Sequence, residues 1–413
     1  MQPLSYRILS RHLIEGRVEE GELVVARVDL VVMNDVTAPL AFRVMDEAGV
    51  QPRVRVDVFL DHYAPPPSIE TARIHASLRR RARQGLCILH EVGEGVMHQV
   101  AVEELVEPGS IVVGADSHTP TYGALASFAV GVGSSEAAYA AATGTLWFRV
   151  PRVLGVRLEG RLEQPVTGKD VALHMLREIP LRELLYTVPE FNGPGLQSLS
   201  IADRLTIANM LVEGGVKTSL FPIDAEAEAF LGGRAGDVGR LETYSGADYT
   251  LNLSAVEPMI AEPPTPLNAK PVSELEGVEV DQVFIGSCTN GRLEDIEAAA
   301  RILKGRKAKT RLIVTPASRR VFEEALRRGY IQVLVEAGAM ITPPGCGLCF
   351  GAHMGLLADD EVMVSTANRN FPGRCGARTA KVYLANPYTA AAAAATGRIT
   401  DPRSLLGAGG GRG

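Results

Sequence analysis

Short apolar runs rich in valine and isoleucine alternate along this chain with stretches of helical period, and glycine or proline marks most of the joints. "GELVVARVDLVVM" (21–33) and "VRVDVFLDH" (54–62) have the composition of strands, while "SIETARIHASLRRRARQ" (68–84) reads as a helix. "GSIVVGADSH" (109–118) is a strand that enters a polar turn. The rhythm returns in "VEVDQVFIGSCTNG" (278–291), a strand and turn, and in "RLEDIEAAARILKG" (292–305), a helix stopped by Gly305. It continues through "TRLIVTPAS" (310–318), "SRRVFEEALRRGY" (318–330) and "EVMVSTANRN" (361–370). This alternation predicts an α/β protein of parallel-sheet units. Ligands of such sheets gather at the carboxyl ends of the strands.

A single core rarely grows past roughly 250–300 residues, so 413 residues predict two or three domains. A new apolar run starts at "RVPRVLGVRLEG" (149–160). "EPMIAEPPTPLNAKPVSELEG" (257–277), with its five prolines and no apolar period, has the composition of a linker. Joints near 152 and 275 divide the chain into 1–152, 153–275 and 276–413. The glycine-rich end "GAGGGRG" (407–413) predicts disorder.

Charge and composition narrow the function. The formal net charge is -6, and basic runs such as "SLRRRARQG" (77–85) read as solvated helix faces, so no nucleic-acid partner is expected. No apolar stretch reaches the ~18 residues of a membrane span. The alanine-rich stretches "AAYAAATGTLWF" and "YTAAAAAATG" read as buried helices. The N-terminal residues lack an apolar signal region. Five cysteines, an odd number, fit a reducing compartment in which thiols serve metals or catalysis. The expectation is a soluble cytoplasmic protein.

Candidate chemistry sits where the predicted strands end. Cys346 and Cys349 form a Cys-x-x-Cys in "PPGCGLCFG", and Cys288 closes a strand in "IGSCTNGR". Taken alone, the pair fits a redox switch, half of a zinc site, or an iron–sulfur cradle. Three thiolates on a four-iron cluster would leave one iron open as a Lewis acid. Cys87 reads as a packing thiol and Cys375 as a bystander. Asp61 and His62, His98, Asp116 with Ser117 and His118, and Glu190 are polar groups in turns, suited to acid–base work when carboxylate meets imidazole. His12, His75, His90, His174 and His353 read as structural. Asn34, Asp35 and Thr37 end one strand; Asn368, Arg369 and Arg374 follow another, and arginine suits a substrate carboxylate.

"GADSHTPTYGALASFAVGVGSSEAAYAAATG", "IGSCTNGRLEDI", "PGCGLCFG" and "NRNFPGR", in this order, resemble the aconitase superfamily from about residue 20 to about 400. The length is similar to that of the large subunit of its two-chain members. The resemblance implies three α/β/α domains around a [4Fe–4S] cluster with one iron not ligated by protein. It implies Cys288, Cys346 and Cys349 as ligands, and the pairs Asp61 with His62, Asp116 with His98, and Glu190 with His118. His62 would handle the leaving hydroxyl. Asn34, Asp35, Thr37, Ser117, Asn368, Arg369 and Arg374 would line the substrate. The catalytic serine would come from a separate small subunit, a swivel domain. The implied reaction is dehydration and rehydration of a di- or tricarboxylate 2-hydroxy acid. An RNA-binding role and a zinc-stabilised scaffold are the non-enzymatic alternatives.

Overall fold

The computed structural model describes residues 2–235 and 241–406; the tail expected to be disordered, 407–413, lies outside them. The chain gathers into two compact units. The first runs to Val92, resumes over Met97–Arg161 and ends with Pro180–Ser254; the second takes Gly93–Val96, Leu162–Ile179 and the chain from Ala255 onward.

The first unit is built on five parallel strands in the order Ile88–His90, Arg55–Phe59, Leu30–Asn34, Ile111–Gly114, Phe128–Gly131. Strand order reverses at Leu30–Asn34, which is buried along its whole length. A reversal of this kind opens a crevice at the carboxyl ends of the strands on either side. Asn34, Asp61 and Asp116 lie at the ends of those central strands. The helix Ile69–Arg83 starts where Ser68 and Thr71 bond reciprocally in a capping box. A second sheet of this unit is antiparallel, with Leu23–Arg27 between Leu13–Glu15 and Thr145–Arg149. In a third, Arg152–Glu159 runs parallel to both Thr187–Asn192 and Tyr249–Asn252.

One strand expected over 21–33 is two. Leu23–Arg27 and Leu30–Asn34 belong to different sheets, because the chain turns where Val28 N–H bonds Gly144 and Asp29 N–H bonds Ile111. The Asp29 carboxylate accepts from Ile111 N–H in return.

The second unit carries a seven-stranded mixed sheet in the order Ala269–Pro271, Met259–Ala261, Lys381–Ala385, Val362–Ser365, Gln282–Ile285, Arg311–Val314, Met340–Ile341. The segment that reads as a linker, 257–277, supplies the first two of these strands, paired antiparallel. Its prolines sit at the strand ends and in the connection, where no ladder N–H is lost, and Ile260 is buried. The helices Leu293–Leu303 and Pro387–Thr396 cover this sheet, the second with alanines small enough for close approach. The helix Gly168–Glu178 also belongs here, although the chain on both sides of it belongs to the first unit. Asp170 secures it: one carboxylate oxygen accepts from Met259 N–H at 2.8 Å, the other from Asn386 Nδ2 at 2.6 Å and Thr167 N–H at 2.7 Å. No helix among the described residues is long and apolar enough to cross a membrane.

Candidate active site

The three candidate imidazoles of the first unit, like His12, His75 and His90, are each tied to a carboxylate. His62 Nδ1 lies 2.8 Å from Asp61 Oδ1, and the other Asp61 oxygen accepts from Met97 N–H at 2.7 Å. Carboxylates only accept, so Nδ1 carries a proton and Nε2 is the end left for chemistry. That Nε2 lies 3.8 Å from Asp116 Oδ2. Burial disfavours the His62 cation, but Asp61, with Asp116 and Asp35 behind it, outweighs burial and raises its pKa from 6.5 to about 9.

Asp116 is the hub. Its Oδ1 accepts from His98 Nε2 at 2.9 Å and from His118 N–H at 2.8 Å, and its Oδ2 from Asn34 Nδ2 at 3.3 Å. Burial would raise its pKa, yet His98 and His118 hold it well below 3.8. The turn that carries it needs Gly131 opposite: a Cβ there would lie 2.6 Å from the Asp116 carbonyl oxygen. His98 Nδ1 meets Tyr122 Oη at 3.0 Å. The His98 ring thus bridges Asp116 and Tyr122.

The third pair differs from the expected one. His118 Nε2 bonds Glu213 Oε1 at 2.9 Å, and Ser117 Oγ lies 3.5 Å from His118 Nδ1. Glu190 is fully buried elsewhere, accepting from Leu4 N–H and Tyr244 N–H on one oxygen and from Ser5 N–H and Ser5 Oγ on the other. It ties the first turn of the helix Leu4–His12 to the body of the unit. Asp35 is likewise turned inward: its oxygens accept from His62 N–H, Tyr63 N–H and His75 Nε2. It positions the His62 backbone, in place of the substrate contact expected for it. Thr37 shares a local turn with Asn34, its hydroxyl 3.1 Å from Asn34 Oδ1.

Glu213 and Tyr122 escape a reading of the sequence. Glu213 is 95 positions from His118; its one signal is an acid beside two glycines at the end of an apolar helix, in "NMLVEGG".

The second unit holds the thiols. Cys288 follows Gln282–Ile285 by way of Ser287, whose φ of 76° is left-handed, a conformation costing on the order of 1–3 kcal/mol outside glycine. Arg292 braces this turn, donating to the carbonyls of Thr289 at 2.6 Å and Cys288 at 2.7 Å. Cys346 and Cys349 bracket a tight turn, with Cys349 N–H bonded to Cys346 O at 3.2 Å. Gly347 in it has φ +57°, and a Cβ would lie 2.4 Å from Thr315 Oγ1. Cys288 and Cys346 share a small buried cluster with Val96 and Ala317. The Asn368 amide reaches two of the three sulfurs, with Nδ2 3.6 Å from Cys288 Sγ and Oδ1 3.5 Å from Cys349 Sγ. Arg374 places Nη2 3.9 Å from Cys349 Sγ, its guanidinium over the Phe371 ring and its buried Nε without a hydrogen-bond partner. Arg369 is half-buried in the same turn. Cys375 lies 3.7 Å from the Leu348 carbonyl, and burial pushes its pKa up to about 12, so it stays a thiol. None of the five cysteines is in a disulfide.

A family model described as "Aconitase family (aconitate hydratase)" matches residues 6–276 and 267–397. The chain belongs to the aconitase family. Within that family it is 45% identical to "3-isopropylmalate dehydratase large subunit 1" of Methanopyrus kandleri, over 98% of this chain and 99% of that one. It is 46% identical to "3-isopropylmalate dehydratase large subunit 2" of Archaeoglobus fulgidus, over 94% and 95%. Thermococcus kodakaraensis aconitase X, solved in its holo-form, superposes with a TM-score of 0.49 and 14% identity over 83% of this chain and 84% of that one. Membership of the aconitase family implies an iron–sulfur cluster, and the residues present fit one. Three thiols are buried and unbridged, the Asn368 amide reaches two of them, Cys288 and Cys349, and the Arg374 cation lies beside Cys349. Soft donors and a flanking positive charge suit an anionic iron–sulfur group.

Proposed function

We propose that this chain is the large subunit of a 3-isopropylmalate dehydratase, a hydro-lyase that moves a hydroxyl between adjacent carbons by dehydration and rehydration. The observation that carries the reading is geometric: Asp61 holds His62 Nδ1 at 2.8 Å and leaves its Nε2 3.8 Å from Asp116 Oδ2, whose other oxygen accepts from His98. The raised His62 pKa, set by Asp61, Asp116 and Asp35 against burial, suits it to donate a proton. The chain's 45–46% identity to two dehydratase large subunits adds the substrate.

Cys288, Cys346 and Cys349 would hold a [4Fe–4S] cluster, which when bound supplies an iron with an open position as Lewis acid for a substrate hydroxyl and carboxylate. Cys375, kept protonated, leaves the ligand count at three. His62 Nε2–H gives its proton to the departing hydroxyl, and Asp61 stabilises the imidazolium before transfer. Asp116 orients His98 and the His118 main chain, and Glu213 holds His118. Arg374 and Arg369 bind substrate carboxylate. A small subunit is the expected partner, supplying the serine that takes the proton from the neighbouring carbon. The division into three α/β/α domains near 152 and 275 belongs to the same reading.

The test is to purify the chain anaerobically with a co-expressed small subunit and to supply 3-isopropylmalate. Appearance and consumption of the unsaturated intermediate is the expected result. A cluster-loaded complex that turns over only another hydroxy acid would overturn the substrate, and one without turnover on any would overturn the activity.

A further inference from the structure

The mechanism makes no use of the wholly buried Lys169. Lys169 is the second residue of the helix Gly168–Glu178, where the helix dipole is unfavourable to positive charge. Its side chain is fully buried, and burying an ammonium is costly unless it is closely paired. Its Nζ donates to two successive backbone carbonyls, Thr366 O at 2.9 Å and Ala367 O at 2.5 Å. Those peptides immediately precede Asn368, whose amide reaches Cys288 and Cys349. The same turn is fixed from its other side: Thr366 Oγ1 accepts from Gly286 N–H at 2.9 Å, two residues before Cys288. Burial pushes the Lys169 pKa down to about 7, with Cys349, Asp295, Asp170 and Cys288 opposing it, and the amine keeps N–H donors for both carbonyls in either protonation state. The helix cannot slide, because Asp170 is bonded to Met259 and Asn386.

We propose that Lys169 is a positioning residue for the cysteine site: by clamping the Thr366 and Ala367 carbonyls it holds Asn368 across Cys288 and Cys349. The inference rests on the reading that these thiols hold a cluster. The purified chain, reconstituted with ferrous iron and sulfide, is compared with Lys169→Met, Lys169→Gln, Asn368→Ala and the Lys169→Met/Asn368→Ala pair. Iron per chain, the rate of iron loss to a chelator, and the electron paramagnetic resonance spectrum of the reduced cluster are read.

Lys169→Met should lose iron roughly 10–100-fold faster, as loss of an outer-shell partner does, with altered g values. Lys169→Gln, which keeps a donor for one carbonyl, should fall between, and it carries the test if the methionine variant does not fold by circular dichroism. The double variant should be no faster than Asn368→Ala alone, because both act through one amide. Wild-type rates and spectra in the folded lysine variants would overturn the inference, as would independent effects that multiply in the pair. A wild-type chain that takes up no cluster would sink the cluster reading itself, and this inference with it.

Discussion

Glu190→Gln, set beside Glu213→Gln, tests which of the two carboxylates serves His118. In the structure Glu190 accepts four hydrogen bonds, two on each oxygen, from Leu4 N–H (2.9 Å), Tyr244 N–H (2.6 Å), Ser5 N–H (2.8 Å) and Ser5 Oγ (2.7 Å). Glutamine keeps one acceptor oxygen and turns an NH₂ toward the other two donors. Hydrogen bonds to a charged group are worth about 1.5–3 kcal/mol each, so losing two removes roughly 3–6 kcal/mol. Fraying of the helix Leu4–His12 would relieve the clash but expose Leu4, Ile8 and Leu9, at about 1.5–3 kcal/mol for each side chain. The loss therefore settles at about 3–5 kcal/mol, a fall in Tm on the order of 10 °C for a large domain. Glu213→Gln should lower Tm less than Glu190→Gln, since Glu213 is partly exposed and the amide keeps an acceptor oxygen for His118. By loosening its hold on His118 it should lower kcat roughly 100-fold, the scale of a misplaced side chain at the reacting centre. Calorimetry of each variant, with kcat of the two-subunit complex measured well below either Tm, reads both effects. An unshifted Tm with lost kcat in Glu190→Gln, or full kcat in Glu213→Gln, would refute the assignment.

Serine at Cys288, Cys346 or Cys349 should each abolish most of the visible absorbance and iron content of the reconstituted chain, while Cys375→Ser should keep both. The raised pKa of His62, 6.5 when unfolded and about 9 when folded, means the folded state holds an extra proton between those values. The stability this adds is complete below pH 6.5 and is lost as pH rises through 9. The urea midpoint of wild type should therefore fall more steeply over that window than that of His62→Gln, and identical slopes would contradict the shift. Tyr122→Phe removes one hydroxyl bond to His98, worth about 0.5–1.5 kcal/mol; kcat should fall roughly 2–12-fold, and an unchanged kcat would deny His98 its orienting partner.

Strands and helices with a clean period were legible in the sequence: Arg55–Phe59, Ile69–Arg83, Leu293–Leu303 and Val362–Ser365 lie within the segments that pattern marks. Failures came where tertiary contacts overrode local composition. The apolar run 21–33 hides a change of sheet at Val28 and Asp29, because the break is made by bonds to Gly144 and Ile111, far along the chain. The proline-rich stretch 257–277 looks unstructured only when its antiparallel partner, Lys381–Ala385, is out of view. Among candidate site residues, side chains paired within a few positions were readable, as with Asp61 and His62. Asp116 and His98, 18 positions apart, were also paired as expected, but nothing around Glu190 says that its oxygens are filled by Leu4, Ser5 and Tyr244, and nothing around Lys169 points to Thr366.

The helix Gly168–Glu178 leaves the ribosome long before the strands and Asn386 that it locks onto. At about 5–20 residues per second, the roughly 200 residues in between take on the order of 10–40 s to be made. Throughout that interval the apolar side of the helix, with Val171, Leu173 and Leu176, has no finished sheet to bury it. The second unit therefore cannot close until nearly the whole chain has been made. Rearranging the gene so that this segment follows Ala255 directly would let the second unit close in one stretch of synthesis.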